Sequence, residues 1–219
     1  MGVKDSYKHK GMRRSLVRIL REKGIVNEGV LVAIGTVPRH VFFDEIFDSH
    51  AYQDKAFPIA EGQTISQPYT VAFQSDLLDV KPGSKILEVG TGSGYQCCIL
   101  LELGADVVTI EYKEKLSMLA KQMLGKMGYH AHFLVGDGSN GYPQLGPYDG
   151  IIVTAGAPIQ AIDPLVKQLK VGGKLIIPVG DLKSQKMLRI SKISEQQIVQ
   201  EEFNNFAFVP LLGDNGWKN

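Results

Sequence analysis

The chain has 219 residues, 44% of them hydrophobic and 21% charged, a balance that supports one large buried core. A net charge of +1 leaves no basic surplus for nucleic acid, and no apolar run is long enough to span a membrane as a helix. The only cysteines, Cys97 and Cys98, are adjacent, which gives neither a disulfide framework nor a zinc-ligand spacing.

The stretch Met1 to Lys10 is polar and lacks an apolar h-region, so no secretory signal is expected and a cytoplasmic location is. From Met12 to Arg21 an amphipathic helix is predicted, with Met12, Leu16, Ile19 and Leu20 on one side and arginines on the other. A second helix is predicted from Glu28 to Thr36, stopped at Val37-Pro38 because proline disfavours helical backbone in the residue before it. Phe42, Phe43, Ile46 and Phe47 form an apolar cluster expected to pack against the main body. Glu61 to Tyr69 is polar and precedes a helix from Val71 to Leu78; on residue type alone, Ser66 is either the cap of that helix or a functional hydroxyl.

From Ser84 onward, short apolar runs alternate with helical ones. Strands are predicted at 85–89, 106–110, 130–135, 148–154 and 174–179, and helices at 95–103, 113–126 and 162–169. Segments 187–193 and 198–208 read as a closing β-hairpin. Such alternation implies an α/β fold: a doubly wound, mostly parallel sheet, with ligands bound at the carboxyl ends of its strands. One domain is expected over 1–219, with N-terminal helices and a substrate loop in 1–80 and a cofactor-binding core in 84–219.

The chemistry concentrates after the first core strand. Glu88-Val89-Gly90-Thr91-Gly92-Ser93-Gly94 joins that strand to a helix, and its glycines permit a tight turn and close approach of a ligand. The spacing G-x-G-x-G differs from the dinucleotide fingerprint, and no Gly-Lys-Ser/Thr ending is present to cradle a phosphate. Glu111 ends the next strand, where a carboxylate accepts hydrogen bonds from ribose hydroxyls. Asp137-Gly138 follows the third strand, where an adenine ring would lie, and Asp149 opens the fourth. A nucleoside ligand without phosphate fits this set, and S-adenosylmethionine is the ligand expected there. The histidines His9, His40, His50, His130 and His132 show no metal-ligand spacing, so no metal is expected.

The segments AYQDKAFPIAEGQTISQP ending at Pro68, ILEVGTGSGYQ at 86–96, GDG at 136–138, PYDGIIVTAGAP at 147–158, QLKVGGKLIIPVG at 168–180 and FVPLLGDNGW at 208–217 together resemble the protein-L-isoaspartate O-methyltransferase family over nearly the whole chain. GQTISQP is the specific part, since many methyltransferases share the glycine turn. The resemblance implies a Rossmann-like class I S-adenosylmethionine-dependent methyltransferase with an N-terminal helical extension and an antiparallel last strand. It implies methylation of the free α-carboxylate of L-isoaspartyl residues in damaged proteins and peptides, releasing S-adenosylhomocysteine and starting repair through a succinimide. It further implies Ser66 as the active-site residue, and Thr64, Ile65, Ser66, Gln67, Glu88, Gly90, Thr91, Gly92, Ser93, Gly94, Glu111, Asp137 and Gly138 around the cofactor. Val209, Pro210 and Leu211 would hold substrate backbone. Isoaspartyl proteins or peptides are the expected partners of a monomer that binds neither nucleic acid nor membrane. The alternative is a same-fold enzyme acting on an aspartate of a biosynthetic peptide. Phe57-Pro58-Ile59-Ala60 and Cys97-Cys98 depart from the family's usual residues without removing a functional group.

Overall fold

A computed structural model describes residues 5–218. The first four residues of the polar N-terminal stretch lie outside them. The chain opens with helices α1 (Tyr7–Glu22) and α2 (Glu28–Thr36). Ser6 and His9 form a reciprocal cap on α1, and the Asn27 side chain accepts from Val30 N–H at the start of α2. One arginine departs from the amphipathic reading. Arg13 is buried, because it lies three residues from Leu16 on the inward face. Its guanidinium bonds Gly35 O at 2.8 Å, the Tyr52 hydroxyl at 3.1 Å and Asp5 at 2.9 Å.

Two 3₁₀ turns follow, Arg39–Phe42 and Glu45–His50. Phe42 is buried, and Phe43 and Phe47 pack on Phe57 with ring centroids 5.5 and 6.3 Å apart. Ile46 does not join them and is 75% exposed. In a three-residue turn it cannot share the face of both phenylalanines. The short strands β1 (Phe57–Pro58) and β2 (Thr64–Ile65) then pair antiparallel and frame the loop before α3 (Pro68–Leu78).

The core alternates as predicted. It runs β3 (Lys85–Val89), α4 (Tyr95–Glu102), β4 (Asp106–Glu111), α5 (Glu114–Lys126), β5 (His132–Val135), β6 (Tyr148–Val153), α6 (Ile162–Val166), β7 (Leu169–Gly180), β8 (Gln185–Lys192) and β9 (Ile198–Phe206). Strand β7 is longer than the sequence pattern predicts. Its register against β6 jumps from Leu169 to Lys174, so 170–173 bulge out where Gly172 and Gly173 permit it.

The seven-stranded sheet has the order β5-β4-β3-β6-β7-β8-β9. Pairings from β5 through β7 are parallel, and β8 runs antiparallel to both β7 and β9. The reversed strand is therefore β8, and β9 points the same way as the parallel set. Leu87, Ile151, Ile152, Leu175, Ile176 and Ile177 are fully buried, as strands covered on both faces require. The strand order reverses beside β3, and that switch places a crevice at the carboxyl ends of β3, β4 and β6. No helix among the described residues is long and apolar enough to cross a membrane.

Candidate active site

A cleft opens at that switch point. Its floor is the turn after β3, with Gly90, Thr91, Gly92 and Ser93 on the lining. Gly92 has φ +53, and a Cβ built there would meet nothing within 4 Å, so the backbone faces open space. Gly94 has φ +86 but does not line the cleft. A Cβ at Gly94 would lie 2.8 Å from Leu124 Cδ1 and 3.1 Å from Ala120 Cβ, so that glycine serves the contact of α4 with α5.

Glu111, 6% exposed at the end of β4, lines the cleft. One carboxylate oxygen accepts from Gly92 N–H at 2.8 Å and the other from Lys113 N–H at 2.9 Å. A carboxylate has about four acceptor positions, so about two remain for a vicinal diol. Glu88 behaves differently. It is fully buried beneath the turn and outside the cleft, because alternation along β3 turns it into the sheet's other face. Its Oε2 accepts from the Thr109 hydroxyl at 2.6 Å, the Thr91 hydroxyl lies 2.6 Å from the same Thr109 oxygen, and Oε1 has no partner. Burial, together with the nearby Glu111 charge, pushes the Glu88 carboxyl up to about 8, despite the opposing hydrogen bond from Thr109. Glu88 is therefore a neutral acid at pH 7 that supports the turn from behind.

Gly138 lines the cleft and Asp137 does not. The Asp137 carboxylate is occupied by Ser139 N–H (2.8 Å), the Ser139 hydroxyl (2.6 Å), the Asn140 amide (3.0 Å) and Asp214 N–H (2.7 Å). Burial acts to raise its pKa, but the bonds from Ser139 and Asp214 hold it below the usual carboxylate range. It ties the C-terminal tail over the turn after β5. Asp149 lies at the opposite end of its strand from the cleft, accepting from Lys85 N–H and pairing with Lys170.

The other wall comes from outside the core. Thr64, Ile65 and the half-buried Ser66 line the cleft, as do Val209, Pro210 and Leu211. The latter segment is held by backbone bonds to Gly156, from Gly156 N–H to Val209 O and from Leu211 N–H to Gly156 O, both 2.8 Å. Gln67 does not line this cleft. It borders a neighbouring groove, lined also by Tyr69, Lys183, Asn204, Asn205, Phe206 and Phe208, which shares Thr64 and Ser66 with the first. Ser66 makes no cap. Helix α3 starts at Pro68 with Gln67 as N-cap and no capping side chain of its own, while Asp54 accepts from Tyr69 N–H at 2.8 Å. The cap comes from fourteen or so residues upstream, out of reach of a pattern search for adjacent capping residues.

Several lining residues were not singled out by sequence: Tyr95, Gln96, Tyr112 and Thr154. Tyr112, 43% exposed beside Glu111, is the one with a legible signal, an aromatic directly after the strand-end acid. Gln96 keeps a buried Oε1 without a protein partner, while the Tyr95 hydroxyl lies by the Arg39 guanidinium. The orphaned Gln96 oxygen, the open backbone at Gly92, the spare acceptors of Glu111 and the absence of a phosphate cradle fit a nucleoside ligand bearing polar groups. The thiols of Cys97 and Cys98 are buried in α4, and burial pushes both up, which leaves them unreactive. The Asp5, His9 and His40 side chains converge, but Asp5 is bound by Arg13, His9 by Asp48 and Ser6, and His40 by the Tyr52 hydroxyl.

A family model described as protein-L-isoaspartate(D-aspartate) O-methyltransferase matches residues 11–216. A protein-L-isoaspartate O-methyltransferase of Cytophaga hutchinsonii is 60% identical over 215 residues, covering 98% of this chain and 97% of its own. One from Christiangramia forsetii is 55% identical, covering 97% of this chain and 99% of its own. Among solved structures, a protein-L-isoaspartate O-methyltransferase superposes with TM-score 0.82 at 28% identity, over 93% of this chain and 67% of that one. A Plasmodium falciparum chain described as the same kind of enzyme, in complex with S-adenosyl-L-homocysteine, gives TM-score 0.78 at 27% identity over 91% and 98%.

Proposed function

This chain belongs to the protein-L-isoaspartate(D-aspartate) O-methyltransferase family, and from that premise we propose that it methylates the free α-carboxylate of L-isoaspartyl residues in damaged proteins and peptides. The observation that carries the reading is the shared edge. Ser66 borders both a cleft suited to a nucleoside cofactor and a second groove lined by polar and aromatic side chains. S-adenosylmethionine, when bound, supplies a methyl carbon made electrophilic by its sulfonium.

Gly90, Thr91, Gly92, Ser93 and Gly138 would bound that ligand, and Glu111 would accept from its ribose hydroxyls. Gln96 Oε1 is a free acceptor for a cationic group. The acceptor carboxylate, with an ordinary pKa near 4, is ionised at neutral pH and needs no strong general base. This chain's residues then have three tasks: to exclude water, to hold the carboxylate still and to leave its nucleophilicity intact. A neutral serine hydroxyl at Ser66 orients a carboxylate by one hydrogen bond, whereas a lysine or arginine there would neutralise it. Val209, Pro210 and Leu211, fixed to Gly156, offer a rigid edge for substrate backbone. Once the methyl ester forms, the next backbone nitrogen displaces methanol to close a succinimide. Hydrolysis of that ring returns part of the material as normal aspartate.

The test is transfer of labelled methyl from S-adenosylmethionine to an isoaspartyl peptide, against the same peptide carrying normal aspartate. Labelling confined to the isoaspartyl form is expected. Equal labelling would favour an enzyme that acts on aspartate in a biosynthetic peptide, and none on either would refute both.

A further inference from the structure

The segment that carries Ser66 is short, half-exposed and only lightly tied into secondary structure. Its strands β1 and β2 share just two residue pairs, Phe57 with Ile65 and Pro58 with Thr64. Ser66 itself lies beyond that pairing, and the helix that follows has no cap from its own N-terminal residue. Something else must fix this stretch of backbone, because an unpaired loop would sample many positions.

Two side chains from the preceding segment do so. Arg39 is fully buried, and its guanidinium donates from Nη2 to Ser66 O at 2.9 Å and from Nε to Ala51 O at 3.0 Å. It also stacks on Tyr95, 4.6 Å from the ring centroid, and on Phe43 at 5.2 Å. Tyr95 is a wall of the cofactor cleft, so one guanidinium joins the Ser66 backbone to the opposite side of the site. Burial lowers the Arg39 pKa to about 10, still well above neutrality, so it remains a cation in a dry setting. Apolar packing would fill that space with less desolvation penalty, which points to a geometric role for the charge.

Asp54 holds the other flank. Its Oδ1 accepts from Tyr69 N–H at 2.8 Å, and its Oδ2 accepts from the Gln67 amide at 3.1 Å and Lys23 Nζ at 2.6 Å. Gln67 also reaches Asp54 O at 3.1 Å. The Asp54 side chain is 8% exposed, while Lys23 is about half exposed and stacks over Tyr69. Thus Ser66 is pinned on one side by a guanidinium on its carbonyl and on the other by a carboxylate that caps α3.

We propose that Arg39 and Asp54 are positioning residues for the reaction: together they fix the backbone around Ser66 so that its hydroxyl meets the substrate carboxylate, without touching substrate or cofactor themselves. The proposal rests on the methyl-transfer function given above. Displacing a reacting group by about 1 Å costs roughly 100-fold in rate. Neither residue lines the cofactor cleft itself, so cofactor affinity is expected to change far less than kcat.

The test uses the full chain and three variants: Asp54→Ala, Asp54→Asn and Arg39→Lys. For each, kcat and KM are measured on an isoaspartyl peptide, affinity for S-adenosylhomocysteine by calorimetry, and amide hydrogen exchange over 64–69. Asp54→Ala is expected to lower kcat by about 10- to 100-fold, with cofactor affinity held to about threefold and faster exchange over that stretch. Asp54→Asn keeps an oxygen for Tyr69 N–H but turns an amide nitrogen toward the Gln67 amide and Lys23, so it recovers part of the rate. Arg39→Lys keeps the charge but lacks the planar fork, so it falls with Asp54→Ala. A folded Asp54→Ala with parental kcat would overturn the proposal. So would kcat and cofactor affinity falling together, or an asparagine variant no better than alanine. A parent inactive on isoaspartyl peptides would refute the substrate reading instead, and exchange over 64–69 would still decide the clamp: unchanged rates in Asp54→Ala would sink it.

Discussion

The two walls of the cleft are built in different ways. The glycine-turn wall is local: strand β3, the turn and helix α4 follow one another, and Glu111 closes the turn from the adjacent strand through Gly92 N–H. The parallel sheet puts all of these at one edge without further help. The Ser66 wall is assembled from a distance. Its backbone is held by Arg39 and Asp54, the latter paired with Lys23, all three from the chain that precedes it. The difference teaches that ligand binding and substrate alignment rest on separable parts of this chain, so substitutions in one wall should leave the other's function standing.

The sharpest break is Ser66→Ala. Removing the hydroxyl is expected to lower turnover on an isoaspartyl peptide by about 100-fold, on the scale of losing one aligned hydrogen bond in a dry site. Cofactor affinity, read by calorimetry with S-adenosylhomocysteine, should change little. A variant as active as its parent would reduce Ser66 to part of the loop's packing. Glu111→Ala tests the converse. Hydrogen bonds to a charged group are worth about 1.5–3 kcal/mol, so cofactor affinity should fall by roughly 10- to 100-fold. The same titration checks this, and unchanged affinity would remove Glu111 from the ribose site.

Glu88 gives the most specific effect, on stability and its pH dependence rather than on activity. Its folded pKa of about 8 lies above that of an unfolded carboxyl. Below the ordinary carboxylate range both states hold the proton. Between that range and about pH 8 the unfolded chain releases it and the folded chain keeps it, so stability falls as pH rises, by at most about 1.4 kcal/mol per pH unit. Above that window the contribution is constant. Glu88→Gln should flatten this part of the stability profile, seen as a Tm difference between variant and parent that widens from pH 5 to pH 8. Parallel profiles would show that Glu88 is not a buried neutral acid.

Much of the glycine-turn wall was legible in the sequence, because each signal there is local. Apolar runs of strand length, the glycines and a strand-end acid follow one another at fixed spacing, and burial on both faces removes the alternation that would blur them. The Ser66 segment was legible only by its resemblance to a family, since residue type left a cap and a catalytic hydroxyl equally open. Asp54 settles the capping part of that choice by supplying the oxygen itself.

The sequence by itself determined the α/β alternation and the glycine turn. It determined these through periodicity and backbone preference, which act over a few residues. Only the tertiary structure decided which side chains meet. It turned Glu88 beneath the turn and Asp137 toward the tail, gave Gly94 to helix packing, and drew Arg13 and Arg39 inside. Those outcomes depend on which face of a strand points to the cleft and on hydrogen bonds across tens of residues, and neither is written in the spacing of neighbours.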